Sequence, residues 1–136
     1  MAVEIDVVYS GGLRCEATHG PSKNSLPTDA PVDNGGRGAA FSPTDLVATA
    51  LGTCMLTIMG LGARLAGIDI DGTRAHVVKE MTKTGLRRIE ELRVTISLPS
   101  GLQLTQEQRA IMEKAVHSCP VKQSLHPDVK VVVEFE

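Results

Sequence analysis

The sequence predicts an α+β fold with largely antiparallel sheet, and three observations carry that expectation. Several short segments alternate apolar and polar residues, the period of a strand. One long apolar segment, SPTDLVATALGTCMLTIMGL (residues 42–61), has helical spacing and opens on a helix-start signal. The order in which these segments follow one another is strands, long helix, two strands, helix, strand, which is an α+β layout.

The first strand is expected over residues 2–9, where Val3, Ile5, Val7 and Tyr9 fall on one face and Glu4 and Asp6 on the other. Ser10-Gly11-Gly12 is a turn signal, and residues 13–18 alternate again, so the pair reads as a β-hairpin. Residues 19–40 are poor in periodicity and contain the run Asp33-Asn34-Gly35-Gly36-Arg37-Gly38. A short strand fits residues 25–29. A loop of this length inside a small domain is either functional or clamped by a partner chain. Ser42 is a good N-cap, Pro43 suits the first helical position, and Asp45 stands where a capping box wants an acid. Val47, Leu51, Cys54, Met55 and Ile58 then recur at helical spacing, with a reverse side (Ala48, Thr49, Leu56, Met59) that is hardly polar. A helix apolar all round is buried on most sides, which predicts a homodimer with this helix inside and a helix end near Gly67. Residues 73–81 and 89–98 read as strands around a Lys83-Thr84-Gly85 turn. Thr105 with Gln108 is a second capping box, after which Ile111, Met112, Ala115, Val116 and Cys119 trace one helical face. Residues 129–135 close the chain as a strand.

Composition narrows the function classes. A chain of 136 residues is most simply one domain, residues 1–136. Apolar residues make up 42% but aromatics only 2%, so the core is built from aliphatic side chains and Met. A net charge of −2 supplies no basic field for nucleic acid, and there are almost no aromatics for base stacking. No segment is read as an uninterrupted membrane span, and the acidic, alternating N-terminus is unlike a signal peptide. The expectation is a soluble cytoplasmic protein that engages neither membrane nor nucleic acid. Three cysteines cannot all pair within one chain, and in a reducing compartment a pairing is catalytic or redox-sensing rather than structural.

The cysteines are the residues with chemistry. Cys54 taken alone is a small buried hydrophobe, as most free cysteines are; a reactive role requires a positive neighbour to favour its thiolate. Cys119 lies in His117-Ser118-Cys119-Pro120-Val121-Lys122. Proline disfavours helical backbone in the residue before it and suits a helix start, so the preceding helix should stop at Cys119 and a short turn begin at Pro120. Amide dipoles at that start, with Lys122 and His117 nearby, would favour a Cys119 thiolate; the plain alternative is a packing residue at a helix end. Cys15 shares its strand side with Leu13 and Ala17 and reads as core. A metal site of Cys54, His117 and Cys119 lacks any close-spaced ligand pair, and no metal or other cofactor is expected. Arg14 and Arg37 are candidates for thiolate activation or anion binding, since a guanidinium keeps its charge when half-buried; each also reads as an ordinary solvated charge. Asp45 lies nine residues before Cys54, about 13 Å along the axis and on roughly the opposite face, and cannot touch it within one helix.

The run Ser42-Pro43-Thr44-Asp45-Leu46 leading to Leu51-Gly52-Thr53-Cys54, with Cys119-Pro120-Val121 sixty-five residues on, resembles the OsmC/Ohr family of thiol-dependent peroxidases. The resemblance covers nearly the whole chain. It implies antiparallel sheets around long central helices in an intertwined homodimer, with two active sites at the interface. It further implies that Cys54 attacks the O–O bond of an organic hydroperoxide to form a sulfenic acid, and that Cys119 resolves this to a Cys54–Cys119 disulfide. A small dithiol or a lipoyl-bearing protein restores the thiols. An apolar pocket lined by Leu51, Met55 and Ile58 would suit such a substrate. Two departures stand out. The better-characterised members place Glu directly after the helix-opening Pro, where this chain has Thr44 followed by Asp45. The activating arginine corresponds to Arg14 in one branch and to Arg37 in another. With the acid altered, a low-turnover redox sensor or a binder of small apolar ligands on the same fold is the alternative.

Overall fold

The computed structural model describes all 136 residues, Met1–Glu136. Its elements are β1 (Ile5–Gly11), β2 (Arg14–His19), β3 (Ser25–Asp29), a 3-10 turn (Val32–Asn34), α1 (Pro43–Ala66), β4 (Arg74–Met81), β5 (Ile89–Ser97), α2 (Gln106–His117), α3 (Pro120–Ser124) and β6 (Lys130–Phe135). The chain divides into two compact units, Met1–Val47 and Ala48–Glu136.

In the first unit β1, β2 and β3 form an antiparallel sheet in sequence order. The β1–β2 turn needs left-handed backbone at three successive residues, Gly11, Gly12 and Leu13, which is why two glycines stand there. After β3 the chain folds back on itself. Gly36 N–H donates to the Pro31 carbonyl at 3.0 Å and Gly38 N–H to the Ala30 carbonyl at 3.2 Å. A Cβ at Gly36 would stand 1.8 Å from the Ala30 oxygen, so the tight loop demands glycine. The expected strand over residues 25–29 is present, and the glycine-rich run is a hydrogen-bonded turn. The unit ends in the first turn of α1. There Ser42 N–H donates to Asp45 Oδ2 at 2.9 Å and Asp45 N–H to Ser42 Oγ at 3.1 Å, the reciprocal bonds of a capping box.

The second unit holds the aliphatic core. Along β5 the buried positions are Ile89, Leu92, Val94 and Ile96. The α1 positions Leu51, Met55, Met59 and Ala63 are buried with them, as are Met112 and Val116 of α2. Each such side chain contributes about 1.5–3 kcal/mol of transfer free energy. Two α1 glycines permit close packing: a Cβ at Gly52 would meet Val77 Cγ2 of β4 at 2.8 Å, and one at Gly62 would touch Ile111 and Met112 of α2 at 3.6 Å. The expected capping box starts α2, with Gln108 N–H on Thr105 Oγ1 at 3.1 Å and Thr105 N–H on Gln108 Oε1 at 2.9 Å.

The expected, largely antiparallel pairing is present, with one exception: the last strand, β6, pairs parallel with β5, so this sheet is mixed; α2 and α3 intervene and carry the chain back to the same end before it pairs. By length and hydropathy α1 does suffice to cross a membrane; its glycines and threonines interrupt the apolar run without adding charge. The fully buried Leu51, Met55 and Met59 are those of a core helix. Finally, the alternation of β1 does not bury one face, for Ile5, Val7, Val8 and Tyr9 are all 61–64% exposed.

Candidate active site

Cys119 is where α2 ends and α3 begins. Pro120 occupies the first position of α3, and Cys119 takes a non-helical conformation (φ −52°, ψ 125°), in line with the bias a following proline imposes against helical backbone. The residue therefore serves as N-cap, and its Sγ accepts the Lys122 N–H at 3.5 Å. Around it, Lys122 Nζ lies 3.1 Å from His117 Nδ1, and Gln123 Nε2 donates to the His117 carbonyl at 3.0 Å. These contacts fix the helix junction that aims the thiol. Cys119 itself is 0% exposed.

Cys54 sits mid-way along α1, one residue before the fully buried Met55, and is half-buried. Thr53 and Thr57 return their hydroxyls to carbonyls of the preceding turn, Thr49 and Thr53 respectively, so the polar atoms flanking Cys54 are satisfied within the helix. Cys54 lies near enough to Cys119 for its side chain to act on the Cys119 thiol. Two free cysteines sixty-five residues apart in sequence are thus brought near one another.

Burial pushes the Cys119 thiol up, and the neighbouring Cys54 side chain pushes it further; the Lys122 and Val121 amides pull the other way and are outweighed. The expectation that the helix start would favour a Cys119 thiolate is corrected here. The amides act in the direction foreseen, but removal from water opposes them more strongly. Cys119 consequently keeps its proton and can donate it toward Cys54. The pair is asymmetric: Cys54 is partly exposed and Cys119 is fully buried.

The other candidates belong to the first unit. Arg14 begins β2 opposite Asp29 of β3 and is partly buried. Arg37 is exposed in the loop after the 3-10 turn. Asp45 holds the start of α1 through Ser42. Cys15 is half-buried on β2 across from Thr28, rather than fully in a core. Leu51 and Met55 are fully buried, so they form core and cannot line an open substrate pocket; Ile58 alone of the three expected residues is partly exposed. Sequence reasoning passed over Asp29. Its only signal was an acid at the end of a predicted strand, and nothing local marks such a residue as buried.

Comparison with known proteins bears on the family and the fold. The family model described as OsmC-like protein matches residues 35–134. The chain is 45% identical to a Psychrobacter arcticus protein provisionally described as an osmotic stress induced and detoxification response protein. That crystal structure superposes with a TM-score of 0.90 over 97% of this chain and 94% of the other. At 18% identity, an organic hydroperoxide resistance protein OsmC from Legionella pneumophila gives a TM-score of 0.79, covering 100% of this chain and 97% of that one. An organic hydroperoxide resistance protein from Elizabethkingia anophelis, 17% identical, also gives 0.79, over 100% and 96%. These two likenesses show a shared fold. No protein of curated function matches the sequence.

Proposed function

The chain belongs to the OsmC-like family, and from that premise we propose that it is a cysteine-based peroxidase that reduces organic hydroperoxides in oxidative stress defence. The observation that carries the reading is the nearness of partly exposed Cys54 to fully buried Cys119. The Cys54 thiolate sulfur attacks one peroxide oxygen. The O–O bond breaks, the leaving alkoxide takes a proton and departs as alcohol, and Cys54 becomes a sulfenic acid. Cys119 sulfur then attacks the Cys54 sulfur; hydroxide leaves with the Cys119 proton as water, and a disulfide remains. A disulfide requires a Cα separation of under about 7 Å, and two neighbouring cysteines are the pair able to reach it. A dithiol or lipoyl-bearing protein returns two electrons by thiol–disulfide exchange. Arg14 or Arg37 favours the Cys54 thiolate, and Asp45 supports the site by fixing the start of the cysteine helix. The protein works as a cytoplasmic homodimer, where a reducing pool keeps both thiols free. Relatives bearing hydroperoxide resistance names with the same fold support the substrate class.

Stopped-flow reaction with cumene or fatty-acid hydroperoxide and a lipoyl reductant tests this. Wild type should consume peroxide and Cys54→Ser should not; equal rates would sink the reading. One observation favours a second reading. The Asp45 carboxylate already holds Ser42 N–H at 2.9 Å, which suits a low-turnover redox sensor or binder of small apolar ligands. That reading predicts slow Cys54–Cys119 disulfide formation without sustained turnover.

A further inference from the structure

Asp29 closes β3 and is 0% exposed. Its Oδ2 accepts the Ala39 N–H at 3.0 Å. Its Oδ1 is equally buried and has no hydrogen-bond partner. A carboxylate removed from water with one oxygen unengaged is costly, and native proteins resolve that cost by supplying a donor or a cation.

The backbone puts a cation beside it. Arg14 is the residue directly across from Asp29 in the β2–β3 ladder. Ala30 N–H donates to the Leu13 carbonyl at 3.1 Å, whereas Asp29 N–H turns away to the Phe41 carbonyl at 3.1 Å. That pattern makes Arg14 and Asp29 a non-hydrogen-bonded pair. This is the closer of the two antiparallel kinds, with both side chains on one face and Cα atoms about 4.5 Å apart. The loop from Ala30 to Phe41 returns over the same point, held by Gly38 N–H on the Ala30 carbonyl. Arg37, on that loop, is exposed, whereas Arg14 is already partly buried. Of the two arginines, only Arg14 combines register with burial.

We propose that Asp29 is the positioning residue for Arg14. Its free Oδ1 receives the guanidinium in the working form of the protein and fixes where that charge points. The use of Arg14 rests on the peroxidase reading given above; the pairing itself does not.

A double-mutant cycle in the full chain tests it, using Asp29→Asn, Arg14→Gln and the two combined. Asn keeps an oxygen for the Ala39 amide and removes only the charge. Two quantities are followed in reductant: the thermal midpoint, and the rate of peroxide-dependent loss of the Cys54 thiol. Asp29→Asn should lower the midpoint in the wild-type background and leave it nearly unchanged in the Arg14→Gln background. Each single change should slow thiol oxidation about tenfold, with the double variant no slower than either. An unchanged midpoint would mean that Asp29 only caps the loop, and a raised one that its charge is unpaired; both overturn the proposal. So does coupling to Arg37→Gln in place of Arg14→Gln. If Asp29→Asn alone does not fold, folding of the double variant supports the pair and its failure to fold overturns it. If wild type does not react with peroxide, the peroxidase reading falls while the midpoint cycle still decides the pair.

Discussion

At the scale of single residues, the site turns on two neighbouring cysteines in different surroundings. Cys54 meets solvent, and Cys119 is held back by burial. Peroxide treatment of Cys119→Ser should therefore leave a Cys54 sulfenic acid that a dimedone-type reagent captures, visible as a mass increase on the peptide containing Cys54. Wild type should instead yield the Cys54–Cys119 disulfide, and Cys54→Ser neither product. Capture on Cys119 in the Cys54→Ser chain would reverse the assignment. The raised Cys119 thiol also makes stability depend on pH. Below the ordinary thiol value of 9.0 both folded and unfolded chains hold this proton. Above it the unfolded chain releases the proton first, so the folded state loses stability until its own higher value is passed. Between about pH 8 and about pH 10, melting of reduced wild type should fall more steeply than melting of Cys119→Ser; parallel slopes would contradict the shift. The place of Cys119 was legible from Cys119-Pro120, because the steric rule acts on adjacent residues. The net direction of its shift was not, because burial depends on what the rest of the chain stacks over it. Asp29 was missed for the same reason.

At the scale of elements, the site depends on how closely α1 approaches β4. Gly52 stands two residues before Cys54, and an added methyl there would come within 2.8 Å of Val77 Cγ2. Gly52→Ala should cost about 1–3 kcal/mol, as overpacking does in well-filled cores. Because the strain would shift the segment that carries Cys54, peroxide-driven disulfide formation should slow as well. Adding Val77→Ala removes the obstructing methyls and should restore part of both, read by denaturant midpoint and by the rate of disulfide formation. An unaltered midpoint in Gly52→Ala would show that the contact gives way freely. Most elements were legible from local signals. Both capping boxes hold the bonds their sequences announce, and the strand at Ser25–Asp29 falls where expected. The direction of β6 was not legible, since alternation states which residues share a face and not which way the neighbouring strand runs. Nor was the tight return of the glycine-rich loop, which is fixed by hydrogen bonds to Ala30 and Pro31.

At the scale of the whole molecule, the chain leaves apolar surface that one copy does not cover. Both faces of β1 are open, with Ile5, Val7, Val8 and Tyr9 each more than 60% exposed. On α1, Leu61 is half-exposed and Leu65 is 91% exposed. Isolated exposed leucines are ordinary, but an entire strand open on both sides is the kind of contiguous patch that marks an interface. A chain with a net charge of only −2 has little self-repulsion to keep such patches apart. The homodimer proposed above would cover it, because burying a two-faced strand requires cover from both sides and a symmetric exchange would supply it to each copy at once. Light scattering on the reduced protein should give a mass twice the 14.5 kDa of the chain. Val7→Glu combined with Tyr9→Glu would place charge on that strand. It should shift the mass toward one chain and lower the melting temperature, with the loss greatest at low protein concentration, since dimer stability depends on concentration. A wild-type mass of a single chain, or a double variant that remains dimeric with an unchanged melting temperature, would remove β1 from the interface.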